Sequence, residues 1–367
     1  MGLAIASFAR RLFSPPAAAP LVREPNRRWA RGAAPSTLLR LKVAEVVQET
    51  PSTRTFVFEE GAIEYRAGQH LTLVAELDGR THRRCYSFSS APGSRPAITV
   101  KRVEGGVLSN WLHDHVTAGD TLRATPASGR FTVADDACSP RHAAMVAGGV
   151  GITPVLSMTE ALLRDEKDSR VTLLYGSRCE TEIIFRDRLE AMQAAFPARL
   201  RVVMALDEAT ADWKGLVGSL DGRRVAEATA GSDVQEWYVC GPLPMMDSVV
   251  AALQEQGIPA DRVHLERFQY AATTTLALPA APAALVFGRS GKAVAAGVGT
   301  TILEAAEQAG IALPSSCRMG GCGACKVKVV GRVVAAEPNC LTEGERADGY
   351  ALACCSYGDG RVELPDF

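Results

Sequence analysis

Cys317, Cys322 and Cys325 stand in the run CRMGGCGACK as C-x4-C-x2-C, and 28 residues separate Cys325 from Cys354. Four thiolates at that spacing are what a two-iron, two-sulfur (2Fe-2S) centre requires, and a chain that must wrap such a centre has little conformational freedom there. Gly320, Gly321 and Gly323 let the loop turn tightly enough for backbone N–H groups to point at the sulfurs. A tetrahedral zinc site is the alternative, although zinc ligands more often come as two short C-x2-4-C pairs. Cys355 adjoins Cys354 and leaves the register of the fourth ligand open by one residue, whereas Cys340 lies in the intervening loop and is expected to be a bystander.

The cysteine cluster cannot account for the whole chain. At 367 residues it is too long for one ordinary core and implies two or three domains. Forty basic against forty-one acidic side chains leave a net charge of -1, so there is no overall field for a polyanion and nucleic acid is not an expected partner. Cys85, Cys138, Cys179 and Cys240 are scattered and read as reduced thiols of a cytoplasmic protein. The apolar run from Ala143 to Leu156 is broken by Gly148, Gly149, Gly151 and Pro154 and is too short to cross a bilayer.

Five segments follow from the pattern. Residues 1–37 carry six arginines, one acid and five prolines, the composition of an extension: a tail, a targeting peptide or a short amphipathic helix for peripheral membrane contact. Residues 38–137 alternate short β-prone runs with Gly, Pro and charged turns, with one helix near Leu108 to Val116, which predicts an antiparallel barrel. In residues 138–270 strands and helices alternate, which predicts a doubly wound parallel α/β sheet. Residues 271–284 form an uncharged Ala/Pro/Thr linker, and residues 285–367 a small third unit holding the cysteines.

Within the barrel segment, Arg84, Cys85, Tyr86 and Ser87 fit R-x-Y-S, and KRVEGGVLSNWLH follows from Lys101. Alone, an aromatic on a barrel strand is more often core. Gly148 to Pro154 (GGVGITP) lies between a predicted strand and a predicted helix, where a glycine turn admits a pyrophosphate, but it is not a G-x-G-x-x-G fingerprint. Taken in order, these residues resemble the ferredoxin-NADP reductase family from Leu38 to Gln269. The last 83 residues resemble plant-type ferredoxin, a β-grasp fold of the α+β class, through the C-x4-C-x2-C loop and the closing run DGYALACCSY.

The resemblance implies roles. Tyr86 would stack on the isoalloxazine, Ser87 would hydrogen-bond near flavin N5, and Arg84 would pair with the flavin phosphate, with Lys101 in the same binding set. Gly105, Gly106, Val107, Leu108 and Ser109 would form a glycine turn into a helix N-terminus that favours phosphate. Gly149, Gly151, Thr153 and Pro154 would receive the nicotinamide nucleotide. Cys240, followed by Gly241 and Pro242, would lie near the nicotinamide C4, and Glu266 and Phe268 would match the family's closing E-x-F at the flavin. Ser87, Cys240 and Glu266 are the candidate catalytic residues. The closing motif of ferredoxins, aligned on Gly349, Tyr350 and Leu352, places the fourth ligand at Cys354.

Ser177 and Arg178 stand where an acid would otherwise take the ribose 2'-hydroxyl, so NADPH is the expected donor, with NADH left open. FAD is expected in preference to FMN, although no adenine-binding segment is evident. The implied function is an electron-transfer flavoprotein enzyme carrying electrons from NAD(P)H through flavin to the 2Fe-2S cluster and on to a protein acceptor. Reductase components of oxygenases and of fatty-acid desaturases share this arrangement, and the arginine-rich extension favours the desaturase type. The acceptor could equally be a soluble di-iron, Rieske or hybrid-cluster protein. A non-catalytic relay subunit of a larger dehydrogenase is the remaining alternative. A monomer is expected.

Overall fold

The computed structural model describes residues 38–77, 80–133, 140–268, 276–315, 318, 320–321, 323–336, 339–341 and 343–367, with only the backbone at Arg80 and Thr81. Residues 1–37, Cys317 and Cys322 lie outside the described residues. The rest divides into two compact units, Leu38–Glu266 and Arg267–Phe367.

The first unit opens with strands β1 (Leu39–Thr50), β2 (Thr53–Phe58), β3 (His70–Leu77), β4 (Arg80–Ser87), β5 (Ala97–Lys101) and, after helix α1 (Val107–His115), β6 (Thr121–Ala124). They form one antiparallel sheet in the order β4-β3-β6-β1-β2-β5. Just past β4 the chain returns to the far edge: Phe88 bridges Ile98, and the Ser89 N–H donates to the Ala97 carbonyl at 2.8 Å. That contact curls the sheet into a barrel and removes its free edges. Leu41, Phe56, Leu71, Phe88 and Ile98 fill it, and α1 closes one side with Leu108 and Leu112.

The second half of this unit contains β7 (His142–Gly148), α2 (Ile152–Asp165), β8 (Arg170–Ser177), α3 (Arg186–Ala195), β9 (Leu200–Leu206), β10 (Leu216–Val217), α4 (Gly222–Thr229), β11 (Glu236–Cys240), α5 (Leu243–Glu255) and β12 (Val263–Glu266). All six strands are parallel, in the order β10-β9-β8-β7-β11-β12. Every residue of β7 and of β11 is buried, as expected where helices cover both faces of a sheet. Helix α2 begins two residues before Pro154, which therefore sits in the first turn, where its missing N–H costs nothing. Ser157 of α2 donates to the Ser90 carbonyl at 2.6 Å, fastening this domain to the barrel.

The second unit contains β13 (Ala283–Phe287), β14 (Lys292–Ala296), α6 (Ile302–Gln308), β15 (Lys326–Lys328), β16 (Val330–Ala335), α7 (Glu343–Ala347), β17 (Tyr350–Leu352) and β18 (Ser356–Leu364). A mixed sheet, β14-β13-β18-β16, has a parallel central pair, β13 with β18, and antiparallel outer pairs. It packs against α6, whose start is fixed by a capping box between Thr301 and Glu304. Strands β15 and β17 pair separately. This is the β-grasp arrangement.

Candidate flavin, nucleotide and cluster sites

At the barrel end of the first unit, β4 carries Arg84, exposed, with Nη1 donating to the Arg83 carbonyl at 2.8 Å. Tyr86 is half-buried, and burial pushes its phenol well above the ordinary value, so the ring stays neutral. Ser87 is buried, and its hydroxyl lies 3.4 Å from Oε2 of Glu266, which ends β12. Glu266 pairs in register with Cys240, the last residue of β11. The three candidate catalytic residues, though far apart in the chain, therefore meet at one place. Burial first, and the neighbouring Glu266 second, hold the Cys240 thiol well above the usual range, so it presents a neutral S–H and not a thiolate nucleophile. Phe268, half-buried, follows β12 by two residues.

Sequence reasoning missed a fourth member. The His70 Nδ1 lies 3.7 Å from Glu266 Oε1, and both side chains are nearly enclosed, 4% and 12% exposed. His70 starts β3 opposite Ser87, and no motif marks it.

The glycine turn occurs where expected. Gly105 has φ +68, and Gly106 precedes α1, whose first turn holds no acid. A Cβ on Gly106 would fall 2.6 Å from the Ser109 hydroxyl, so a larger residue there would have to displace that side chain. Val107 is exposed, Leu108 is core, and Ser109 Oγ accepts from the Val103 N–H at 3.3 Å. Lys101, at the end of β5, points away from this turn toward the nucleotide half, where its Nζ meets Glu182 at 3.0 Å.

In the parallel sheet, chain order reverses between β7 and β11, and ligands bind in the crevice at such a switch. Gly148 to Gly151 leave β7 there, and Gly241 and Pro242 leave β11 opposite. The two turns are in close backbone contact: a Cβ on Gly151 would lie 2.1 Å from the Cys240 carbonyl oxygen, and one on Gly241 2.9 Å from the Gly148 nitrogen. Gly149 has φ +52, and buried Thr153 donates to the Val150 carbonyl at 3.0 Å. Pro154 is in the first turn of α2, as above. Ser177 ends β8, buried, whereas Arg178 is exposed and ion-paired with Glu182. Glu182 thus joins two cations. Burial works against its ionised form, but Lys101 and Arg178 outweigh that and hold the carboxyl below its ordinary value.

In the second unit, Cys325 directly precedes β15 and Cys354 follows β17 by two residues, so the pairing of those strands brings them together. The Ala353 N–H donates to the Cys325 carbonyl at 3.0 Å, and the Gly320 N–H donates to Cys354 Sγ at 3.3 Å. Both thiols are buried. Gly320 and Gly323 have φ +76 and +68, and Arg318 also lies in the left-handed region. A loop coiled in this way, already presenting an N–H to a buried sulfur, fits a thiolate-bound cluster. Cys355 is buried beside it, its Sγ 2.9 Å from where a Gly320 Cβ would fall, and Cys340 is half-buried, with its N–H donating to the Gly320 carbonyl at 2.9 Å.

Three domain families match consecutive stretches of the chain: oxidoreductase FAD-binding domain at residues 40–133, oxidoreductase NAD-binding domain at 145–251, and 2Fe-2S iron-sulfur cluster binding domain at 287–358. A component of the 1,2-phenylacetyl-CoA epoxidase of Escherichia coli (strain K12) is 34% identical over 337 residues, 87% of this chain and 94% of that protein. The chain belongs to the FAD and 2Fe-2S reductase family. Another member, the glycine betaine monooxygenase reductase subunit of Pseudomonas aeruginosa (strain UCBPP-PA14), is 32% identical over 88% of this chain and 94% of its own. Among solved structures, phthalate dioxygenase reductase, described as a modular structure for electron transfer from pyridine nucleotides to 2Fe-2S, covers 89% of this chain and 97% of its own at 26% identity, with a TM-score of 0.61. As a member of this reductase family the chain is an oxidoreductase with sites for FAD, a nicotinamide nucleotide and a 2Fe-2S cluster. Among the described residues, no helix is long and apolar enough to cross a membrane.

Proposed function

We propose that this chain is the reductase component of an oxygenase system, drawing electrons from NAD(P)H and delivering them one at a time to an oxygenase partner. The observation that carries this reading is that this chain holds all three modules and aligns, over nearly their whole length, with relatives that are named as epoxidase and monooxygenase components. FAD supplies the chemistry the pathway needs, taking up two electrons as hydride and releasing them singly.

In this reading Tyr86 stacks on the flavin, Ser87 donates to its N5 edge, and Arg84, exposed and bonded to the Arg83 carbonyl, turns to the phosphate. The open N-terminus of α1 after Gly105 and Gly106 takes the pyrophosphate. Gly149, Gly151, Thr153, Gly241 and Pro242 frame the nicotinamide, with the neutral Cys240 thiol against it and Phe268 near the flavin. Cys317, Cys322, Cys325 and Cys354 hold the cluster. Ser177 and Arg178 flank the adenosine ribose. Because Arg178 already has Glu182 as partner, a 2'-phosphate exchanges one anion for another, so the preference for NADPH over NADH is small.

A visible spectrum of the purified protein, titrated with NADH and then NADPH, tests the cofactors. Oxygen uptake on adding an oxygenase component with its substrate tests the acceptor. A protein that nicotinamide reduces and that none of the oxygenases offered re-oxidises supports some other electron acceptor.

A further inference from the structure

Hydride transfer oxidises the nicotinamide ring and delivers both electrons to the flavin. It needs the two reacting atoms about 3–3.5 Å apart, and a misplacement of about 1 Å can cost on the order of a hundredfold in rate. In the proposed reading the two rings are held by different halves of the first unit. The spacing between the strand that carries Ser87 and the turn that carries Thr153 and Pro154 therefore has to be fixed by contacts between those halves. Such contacts fall on the segment directly after Ser87. The Ser89 carbonyl accepts from Arg188 Nη1 at 3.2 Å, the Ser90 carbonyl from Ser157 Oγ at 2.6 Å, and the Pro92 carbonyl from Arg164 Nη1.

These donors stand on helices α2 and α3. Ser157 follows Thr153 by one turn of α2, about 6 Å along the axis, so the helix that presents the nucleotide turn also grips the flavin strand. Arg188, in the first turn of α3, joins all three parts. Its Nε and Nη2 donate to the two carboxylate oxygens of Glu160 on α2, each at 2.6 Å, while Nη1 reaches the barrel. The pair is nearly enclosed, 15% and 9% exposed, so water is a poor substitute for either partner. Inside the barrel the same segment is immobilised: Tyr65 stacks on Phe88 with ring centroids 3.8 Å apart, and its hydroxyl lies 3.0 Å from both the Ser90 and the Ala91 carbonyls. A shift at Ser89 is therefore passed along to Phe88 and Ser87. Helix α3 starts from Phe185, which is buried and left-handed at φ +62, a conformation a phenylalanine rarely adopts. The Arg188 guanidinium lies 5.7 Å from the centre of that ring. Strained turns of this kind gather where a fold must place particular side chains.

We propose that Arg188 is a positioning residue for hydride transfer, setting the spacing between the flavin strand and the nicotinamide turn by holding Glu160 and the Ser89 carbonyl at once. The inference rests on the reading that Ser87 faces the flavin and Thr153 the nicotinamide.

The test uses the full chain loaded with FAD and cluster. Arg188→Lys keeps a cation for Glu160, but an ammonium cannot reproduce the fixed fork that spans both carboxylate oxygens and the carbonyl. In anaerobic stopped-flow mixing its flavin reduction rate at saturating nucleotide should fall about tenfold to a hundredfold, with the nucleotide Kd within about twofold of wild type. A second readout needs no turnover: the long-wavelength charge-transfer absorbance formed on adding NAD+ or NADP+ to dithionite-reduced protein should weaken as the rings lose overlap. Ser157→Ala should give a smaller loss of the same kind. Arg141 supplies the control, since it forms a comparably enclosed pair with Glu166 just past the far end of α2. Arg141→Lys should lower the melting temperature without changing the reduction rate or the charge-transfer band. A wild-type rate and band in Arg188→Lys, an equal slowing in Arg141→Lys, or a loss confined to nucleotide Kd overturns the proposal. If Arg188→Lys loses its flavin, Ser157→Ala decides, and a wild-type rate and band there overturn it. A Ser87→Ala protein with wild-type flavin spectrum and reduction rate instead overturns the placement of the flavin, which separates the two failures.

Discussion

Glu182 shows how much at a single position depends on partners distant in sequence. It receives Lys101 from the barrel, 81 residues away, and Arg178 from its own domain. Read along the chain, Arg178 is a free cation beside a ribose pocket; in the fold it is half of an ion pair. Glu182→Gln should therefore release Arg178 for a 2'-phosphate. The ratio of kcat/KM for NADPH to that for NADH should rise by a modest factor, about threefold to tenfold, because the pair is exposed and solvent-screened, as steady-state assays with both nucleotides would show. Gly151 poses a steric question at the same scale. Its missing Cβ would fall 2.1 Å from the Cys240 carbonyl oxygen, and backbone cannot yield as a side chain does. Gly151→Ala should cost about 1–3 kcal/mol in thermal or urea unfolding and weaken nucleotide binding. The R-x-Y-S and C-x4-C-x2-C runs stand out in the sequence because their spacing is local. His70 does not, because its partner Glu266 ends the last strand of another domain.

Among elements, the long ones could be read and the short ones could not. The apolar runs of β7 and β11 and the alternation in β3 left no doubt as to type. Strand β6, with four residues, and β10, with two, carry too little pattern to separate from turns. Helix α4 reads as polar (GRRVAEAT); its support is tertiary, with Val225 buried and the Asp221 carboxylate accepting from the Arg224 N–H at 2.8 Å. Helix α1 makes a testable contact. His113, buried on it, donates from Nε2 to the Val100 carbonyl of β5 at 2.8 Å. Burial lowers its pKa below the usual 6.5, and Arg102 and Arg54 add to this against the carbonyl contact. The fold favours the neutral ring, so the unfolded chain binds the proton more readily. This contribution is complete above about pH 6.5 and is lost as pH falls from there through the lower folded value. His113→Gln should remove that part of the acid sensitivity, seen as a flatter dependence of melting temperature on pH between about 5 and 7.

At the scale of the whole molecule, two units share one task, and a defect in one should leave the other at work. Cys354→Ser should bleach the iron-sulfur absorption and abolish delivery to a one-electron protein acceptor such as an oxygenase. NAD(P)H oxidation by ferricyanide, which bypasses the cluster, should survive. Cys340→Ser should leave the spectrum intact. If Cys355→Ser bleaches the spectrum and Cys354→Ser does not, the ligand is the neighbouring thiol. The order of modules was legible because each carries its own signature. How the barrel closes was not, since it depends on Phe88 meeting Ile98 through the tertiary course of the chain.

The separation of Ser87 from Glu266, 179 residues along the chain, also has a consequence in time. At 5–20 residues per second a ribosome needs on the order of ten to forty seconds to pass from one to the other. During that interval a nascent barrel can already fold, with every strand from β1 to β6 synthesised, while the sheet that receives the nicotinamide lacks its final strand. A flavin captured early is therefore held by a chain that is not competent to be reduced until β12 completes the neighbouring sheet.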